Sequence, residues 1–442
     1  MAFDLFCKSV QGASHIKRGI PCEDYGLKYE TDLCKVFVLG DGHGDPNCFR
    51  SSLGSKLICE IAVQELTQFA GALAEHEWHE QLFDRAAAEE LITQLVTSIF
   101  GKWSCAVNDD FLQNPMTEQE AELAVDYIER YKNGERIEHI YGTTMIAGLL
   151  TDKYLLLLQQ GDGRCVVFDE QGVATQPIPW DDRCFANVTT SVCDADAIQS
   201  CRYHIVNLDQ TRITACAAGS DGVEDSFNSM DKMHSYYRKL LRIACDNGVD
   251  ALECHLDETL PSFSEKGSGD DTTICGIIDA SLFEENWERM VMEDEIIAVK
   301  DELSRAQERI DSMQNKLSFL KNKYASITEE YSRVFEKYTC FTENYEDAKQ
   351  DVIKLQSAHS ASKVFSAILL RRLQNTLEDM ESEKALLDEE LAQITAKKAA
   401  AEEELLPYEE RYNSFVKMKN DAEQKLTALL CPKDASEDCN HC

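Results

Sequence analysis

Four carboxylate sites in the first 280 residues are spaced so that they could do hydrolytic chemistry, each beside glycine and at the end of an apolar run. Lys35 to Asn47 reads KVFVLGDGHGDPN and delivers Asp41; LLQQGDGR delivers Asp162, CAAGSDGV delivers Asp221, and KGSGDDTTICGI delivers Asp270 and Asp271. A single such Asp is ordinarily a turn former that bonds its own backbone. Four such sites in one domain are another matter, because clustered carboxylates repel one another unless hard cations neutralise them. Oxygen-only ligands suit Mg2+ or Mn2+ far better than Zn2+. Two such ions about 4 Å apart can share a bridging water, lower its pKa and clamp a phosphoryl group for in-line attack, with no covalent enzyme intermediate.

The elements that must hold these acids are strand-like. KVFVLGD, TTMIAGLL, YLLLLQQGD, CVVFD, ITACAAGSD and TTICGIID are β-rich runs bounded mostly by Gly or Asp, and helical stretches at about 49–73 and 85–103 separate the first from the next. Strands in succession with paired helices predict sheets covered by helices. At 442 residues with 43% apolar content the chain can bury a substantial core, and its length predicts two units. The formal net charge of -36 argues against a nucleic-acid or anionic-membrane surface, so any phosphate chemistry needs locally placed cations. No basic segment followed by an apolar run opens the chain, and no window reads as long enough to span a bilayer. The eighteen cysteines are scattered singly, as thiols in a reducing compartment would be. The expectation is a soluble, cytoplasmic protein.

From Leu282 onward the composition turns to Glu, Lys, Leu, Ala and Gln. Apolar residues then step by three and four from Ile296 through Leu317, Leu320 and Tyr331 to Tyr338, and again from Leu377 through Leu391 and Leu405 to Leu429. Both runs are heptad seams. Lys384, Lys398 and Lys419 interrupt the second. The predicted arm is a coiled coil over 283–430, either an antiparallel hairpin bent near 356–363 or a parallel dimer running straight through, and Pro407 is expected to kink or interrupt its second half. Residues 431–442, with Cys431, Cys439, His441 and Cys442, read as a disordered tail rather than a Zn2+ site, and Trp287 as a staple at the arm's root.

In order along residues 1–280, PCEDYG, VFVLGDGHGD, YGTTMIAGLL, GDGRCVVFD, AAGSDGVEDSF and GSGDDTTICGI resemble the motif series of the metal-dependent Ser/Thr protein phosphatases, the protein phosphatase 2C family, with GASHIKRGIPCEDYG most similar to its short bacterial members. The resemblance implies an α+β fold, a four-layer α-β-β-α sandwich of two packed, mainly antiparallel sheets, followed here by the coiled-coil arm. It implies two Mn2+ or Mg2+ ions: Asp41 bridging both, the Gly42 carbonyl on one, Asp221 and Asp270 on the first, and Asp24 acting mainly through water. Asp162 with Asp221 would support a weaker third ion. Glu23 and Asp271 would support the ligands without binding metal themselves. His43 resembles the general acid that protonates the leaving Ser or Thr oxygen, which suits an imidazole tuned near neutral pH.

Three departures matter. The family's phosphate-gripping Arg would fall at Gly19, and Lys17 or Arg18 is the candidate replacement; on a strand only one of the two can face the cleft, and Arg18 is favoured for its fork. Met145 stands where the family has Ala, a matter of packing. Asp45 stands where Gly is common and reads as a turn residue. The function implied is hydrolysis of phosphoserine or phosphothreonine in proteins, with the arm for self-association or partner docking. The alternatives are a catalytically silent phosphoprotein-binding scaffold and a phosphatase of small molecules.

Overall fold

The computed structural model describes residues 2–124, 127–184, 188–357 and 363–430. Among these the strands are β1 (Asp4–Val10), β2 (Tyr25–Glu30), β3 (Lys35–Gly40), β4 (Met145–Leu150), β5 (Tyr154–Gln160), β6 (Arg164–Asp169), β7 (Ala174–Thr175), β8 (Arg202–Asn207), β9 (Ile213–Gly219) and β10 (Thr272–Ile278). They make two five-stranded sheets, in the orders β1-β10-β9-β6-β7 and β2-β3-β4-β5-β8, with every pairing antiparallel.

Period-two alternation explains the layering. On β3, Phe37 and Leu39 enter a core shared with Leu5, Val167 and Ile277 between the sheets, while Val36 and Val38 face helices Ser51–Glu75 and Arg85–Gln113 through Ile58, Leu66, Ile99 and Trp103. On β10, Cys275 and Ile277 point between the sheets, and Ile274 and Ile278 point to Leu240, Leu241, Leu256 and Leu260 of helices Met230–Asn247 and Val249–Lys266. Residues i and i+1 of a strand face opposite sides, so strands buried on both faces need near-continuous apolar runs. The result is the expected four-layer α-β-β-α sandwich.

Helix Ser51–Glu75 is long and apolar enough, by length and composition, to cross a membrane, which corrects the reading that no window approaches that length. The physical reason for its composition is packing: Ile58, Ala62, Leu66 and Leu73 are buried in the domain core. Among the described residues every cysteine is a free thiol.

The chain divides into compact units at Met1–Asp294 and Glu295–Cys442. The first continues past residue 280 because Phe283 and Met290 are fully buried in it, Trp287 packs on Phe283 with the Arg242 guanidinium 4.8 Å from its ring centroid, and the buried Arg238 holds Asp294 at 2.7 Å.

In the second unit, helices Trp287–Ser357 and Lys363–Leu430 run antiparallel, paired by Lys321–Glu409, Lys323–Glu404 and Lys337–Glu390 around a knot of Leu317, Leu320 and Leu405 with three tyrosines. The seam lysines serve the seam: Lys384 lies 4.9 Å from the Tyr345 ring centroid and Lys398 4.7 Å from that of Tyr331, cation–π contacts that leave the ammonium groups near water. The second helix is not interrupted at Pro407, contrary to one form of the expectation; Leu405 and Tyr408, packed on the first helix, flank the proline. Most of the expected bend, 358–362, and the expected tail, 431–442, lie outside the described residues.

Candidate active site

Sheet register gathers the acids. β3 and β5 flank β4, with Leu39 opposite Ile146 and Gln160 opposite Met145, so both strands end at the same edge and are followed there by Asp41 and Asp162. In the other sheet Gly219 lies opposite both Ile274 and Arg164. Asp221, just beyond β9, therefore stands near Asp270, just before β10.

Burial and mutual repulsion dominate the electrostatics. Asp41 is pushed well above the usual carboxylate range by burial, then by Asp221, Asp24 and Asp162. Asp221 is pushed up to about 7 by burial, then by Asp162 and Asp270, and the Asp41 carboxyl hydrogen-bonds to it. Asp24, 5% exposed, is raised well above its ordinary value by burial and then by Asp271, with Thr273 and Ser220 bonding to it in partial relief. Its Oδ2 is buried with no hydrogen-bond partner. Asp162 is raised by burial, against a hydrogen bond with Thr189.

Asp270 and Asp271 have different surroundings. The Asp271 side chain is 3% exposed and that of Asp270 50%. Both Asp271 oxygens accept backbone N–H groups, from Gly12 and from Glu23, each at 2.6 Å, so this carboxylate is a bracket between chain segments with both oxygens already engaged. The bracket also explains Gly12, where a Cβ would stand 2.3 Å from the Asp270 carbonyl carbon.

Within this bracket sits His15, which sequence reasoning did not single out. It is 3% exposed, with Nδ1 2.9 Å from Asp271 Oδ2 and Nε2 3.5 Å from Asp270 Oδ1 and 3.8 Å from Glu23 Oε2. Its Nδ1 is out of line for a hydrogen bond to Asp271, so the contact is an electrostatic one. One buried imidazole thus faces three carboxylates. The available signal was a His in GASHIKRG, the stretch that also holds Lys17 and Arg18, four residues before the place where a cation was missing. Glu23, itself raised by burial, takes a hydrogen bond from Ser51 Oγ, while its carbonyl accepts from Ser55 Oγ at 2.6 Å.

The loop after β3 is held from β4. Thr144 N donates to the Asp41 carbonyl at 2.8 Å, Thr143 Oγ1 donates to the same oxygen at 3.0 Å, and Asp41 N donates to Thr144 Oγ1 at 3.2 Å; this is the work of the GTT stretch. Gly42 is required by packing, since a Cβ there would lie 2.7 Å from the Glu23 carbonyl oxygen. Asp45 accepts from Asn47 N at 2.7 Å and caps the short 3-10 turn Pro46–Cys48, and Met145 is fully buried. His43 N donates to the Gly142 carbonyl at 3.1 Å. Burial, then the neighbouring His139, lower the His43 imidazole to about 4, which corrects the expectation of a group tuned near neutrality.

The strand placement of Lys17 and Arg18 is also corrected. They lie on a helix, Ala13–Arg18, capped by Gly19 in the left-handed region at φ 70°, not on a strand, so strand alternation does not apply to them. Both are exposed, and the Arg18 guanidinium folds back on Ser14 of its own helix, with Nε 3.3 Å from the carbonyl oxygen.

No three described His, Cys, Asp or Glu side chains stand in a ready ligand arrangement; the acids are drawn together, Asp41 onto Asp221. The donors are nonetheless all oxygen, the carboxyls are held up by one another's charge, and a buried carboxylate oxygen on Asp24 has no partner. Each is what a hard cation would relieve, and the residues fit such ions.

A family model described as protein phosphatase 2C matches residues 11–261, more than half of the chain. No curated protein matches. Among solved structures, the chain is similar to a bacterial serine phosphatase at 17% identity, covering 62% of this chain and 98% of that one, TM-score 0.37. It is similar to the Mycobacterium tuberculosis serine/threonine phosphatase PstP/Ppp at 13% identity, covering 62% and 98%, TM-score 0.37. It is also similar to the serine/threonine phosphatase Stp1 from Staphylococcus aureus at 16% identity, covering 62% and 94%, TM-score 0.37.

Proposed function

Since the chain belongs to the protein phosphatase 2C family of metal-dependent serine/threonine phosphatases, we propose that its carboxylate cluster hydrolyses phosphoserine or phosphothreonine in proteins. The observation that carries this reading is the convergence of Asp24, Asp41, Asp162, Asp221 and Asp270, with Asp41 and Asp221 raised by burial and then by the charge of their neighbours. Asp41, Asp221, Asp270, Asp24 and the Gly42 carbonyl would hold two Mn2+ or Mg2+ ions, and Asp162 with Asp221 a weaker third. When bound, such ions supply a lowered pKa for an attacking water and neutralise phosphoryl oxygens.

The chain's own residues do the rest. Thr143 and Thr144 fix the backbone of Asp41, and His15 faces both Asp270 and Asp271. His43 is neutral at rest, its imidazole lowered to about 4. It acquires the proton it gives to the leaving oxygen as the dianionic phosphate arrives beside it, because a nearby negative charge favours imidazolium.

Purified protein should hydrolyse p-nitrophenyl phosphate and a phosphothreonine peptide with Mn2+, lose both activities in EDTA, and lose them as Asp221→Ala. Metal-independent activity, or none under any condition, overturns the reading. One observation favours the silent scaffold, namely that no ligand group is preformed among the described residues. Calorimetric titration separates the two, since a scaffold takes up no Mn2+ tightly. For the arm, the exposed Phe319, Leu386 and Leu406 support self-association or partner docking, read by light scattering. The free thiols support a cytoplasmic location, read by fractionation.

A further inference from the structure

Resting on the phosphatase reading above, we infer that Arg130 and Arg136 form a specificity site for a substrate chain that carries a second negative charge beside the phosphorylated Ser or Thr.

The site begins at His43, on the leaving-group side. A Cβ built on Gly142 would stand 2.6 Å from His43 Cδ2 and 3.3 Å from the His139 carbonyl oxygen, so the turn 139–142 lies against the imidazole. The His139 ring in turn packs on Tyr127, with centroids 4.8 Å apart. Its Nδ1 lies 2.6 Å from the Tyr131 hydroxyl, which donates to the Asn47 carbonyl at 3.1 Å. Those contacts tie the Tyr127 face to the loop that follows His43. Near the same ring lie two guanidinium groups, Arg130 and Arg136, each 5.7 Å from the Tyr127 centroid.

Both arginines are exposed and, like Arg18, Arg85 and Arg212, neither forms an ion pair among the described residues, whereas several other arginines of this unit do. Arg50 holds Glu120 and Asp110, Arg164 holds Glu224, and Arg183 holds Asp181 and Asp196. Arg136 also sits at φ 57°, a left-handed conformation that is strained for any residue with a side chain. A glycine would relieve the strain and lose the guanidinium.

The chain's net charge of -36 would repel an acidic polypeptide over most of the surface, whereas stretch 129–138 balances Glu129, Glu135 and Glu138 with Arg130, Lys132 and Arg136 and presents two solvent-facing guanidinium groups linked to the leaving-group residue through Tyr127 and His139. Such placement steers and selects acidic partners. The charge recognised is a carboxylate or a second phosphate within a few residues of the scissile group, since both offer an arginine the same oxygen pair.

The test measures kcat/KM with Mn2+ on phosphothreonine peptides flanked by Glu, by phosphoserine, by neutral residues or by Lys, with p-nitrophenyl phosphate as a substrate that has no flank. The full-length chain is compared with the Arg130→Ala, Arg136→Gly double variant, whose fold is checked by thermal melting. The wild type should prefer an anionic flank by about tenfold, carried in KM and weakened by salt, as for two exposed ion pairs. The double variant should lose that preference and leave p-nitrophenyl phosphate and the neutral peptide unchanged. The ratio of the Glu to the phosphoserine peptide tells which anion is read. An Arg130→Glu, Arg136→Glu variant should turn to the Lys-flanked peptide, a gain that misfolding cannot produce. Hydrolysis without flank preference, or a preference that survives the double variant, overturns this inference alone. Loss of p-nitrophenyl phosphate hydrolysis in a folded double variant overturns it too, placing the arginines on the reacting phosphate. No hydrolysis of any substrate by the wild type overturns the phosphatase reading and the inference with it.

Discussion

Asp270 and Asp271 are adjacent acids, and the structure assigns them different work that a pair of conservative variants separates. Both Asp271 oxygens accept backbone N–H groups at 2.6 Å, from Gly12 and Glu23. The carboxamide introduced by Asp271→Asn would keep one acceptor and turn its NH2 group against the second donor. A hydrogen bond to a charged group contributes about 1.5–3 kcal/mol, and a buried donor left unsatisfied costs about 1–3 kcal/mol. Asp271→Asn should therefore destabilise the first unit by about 3 kcal/mol, or about 6–12 °C in Tm on the scaling for large domains. Asp270 is half exposed, and its Oδ1 accepts from the neighbouring Asp271 N at 2.8 Å, a bond that a carboxamide oxygen also accepts. Asp270→Asn should leave the metal-free Tm within about 0.5 kcal/mol of wild type, while weakening Mn2+ binding and lowering kcat. Thermal melts in EDTA and calorimetric Mn2+ titrations give the two readouts. If Asp271→Asn leaves Tm unchanged and weakens Mn2+ binding as much as Asp270→Asn, the bracket assignment is wrong and both acids are ligands.

Asp221 rises to about 7 in the folded protein against about 4 when unfolded, so the folded state retains a proton the unfolded chain has lost and its contribution to stability falls as pH rises through that window. Asp221→Asn should thus raise the Tm of metal-free protein, by more at pH 7.5 than at pH 5, while abolishing Mn2+-dependent turnover; a gain that shrinks with pH contradicts the sign. His15→Ala removes the imidazole facing Asp270, Asp271 and Glu23, and should weaken Mn2+ binding by calorimetry with partial recovery in His15→Gln. Pro407→Ala restores a backbone donor inside Lys363–Leu430 and should stabilise the arm by up to about 3 kcal/mol, seen as a later loss of helical circular dichroism on heating. Gly54→Ala would place a Cβ 1.9 Å from the Tyr141 carbonyl oxygen; it should cost about 1–3 kcal/mol as overpacking and lower p-nitrophenyl phosphate turnover, because the same loop leads into Thr143 and Thr144.

What the sequence made legible follows from what is locally encoded. Asp41, Asp162, Asp221 and Asp270 could be found because each terminates or precedes a β-rich run, and strand ends in register must meet. The weaker strands β2 and β8 were not visible: YGLKYE and RYHIVN carry polar residues because these two strands form the edges of their sheet. The segment ASHIKR reads as strand from the place of the family's phosphate-gripping Arg, yet it is a helix whose start is fixed by long-range bonds, Ser14 N to the Gly269 carbonyl at 2.9 Å and Ala13 N to Ser264 Oγ at 3.0 Å. No local propensity encodes partners at the far end of the domain, and the same distance hid His15, whose three carboxylates come from two segments at opposite ends of the domain.

The positioning of His15 and Asp271 bears on why a cluster of like charges can exist in a folded protein at all. The acids are raised by burial and then by one another, so without cations the cluster opposes folding, and the surrounding scaffold must hold it by hydrogen bonds that do not use the candidate ligand carboxylates. Those interactions are Thr143 and Thr144 on the Asp41 backbone, Ser220 Oγ accepting from Thr273 N at 3.0 Å, and the double bracket of Asp271 on Gly12 and Glu23. They tie β3 to β4, β9 to β10, and the loop after β1 to the start of β10. Each pair also brings one acid to its place. The sheets are thus stapled at the edge where repulsion is strongest, so a cation need only part acids that already converge, Asp41 from Asp221 among them.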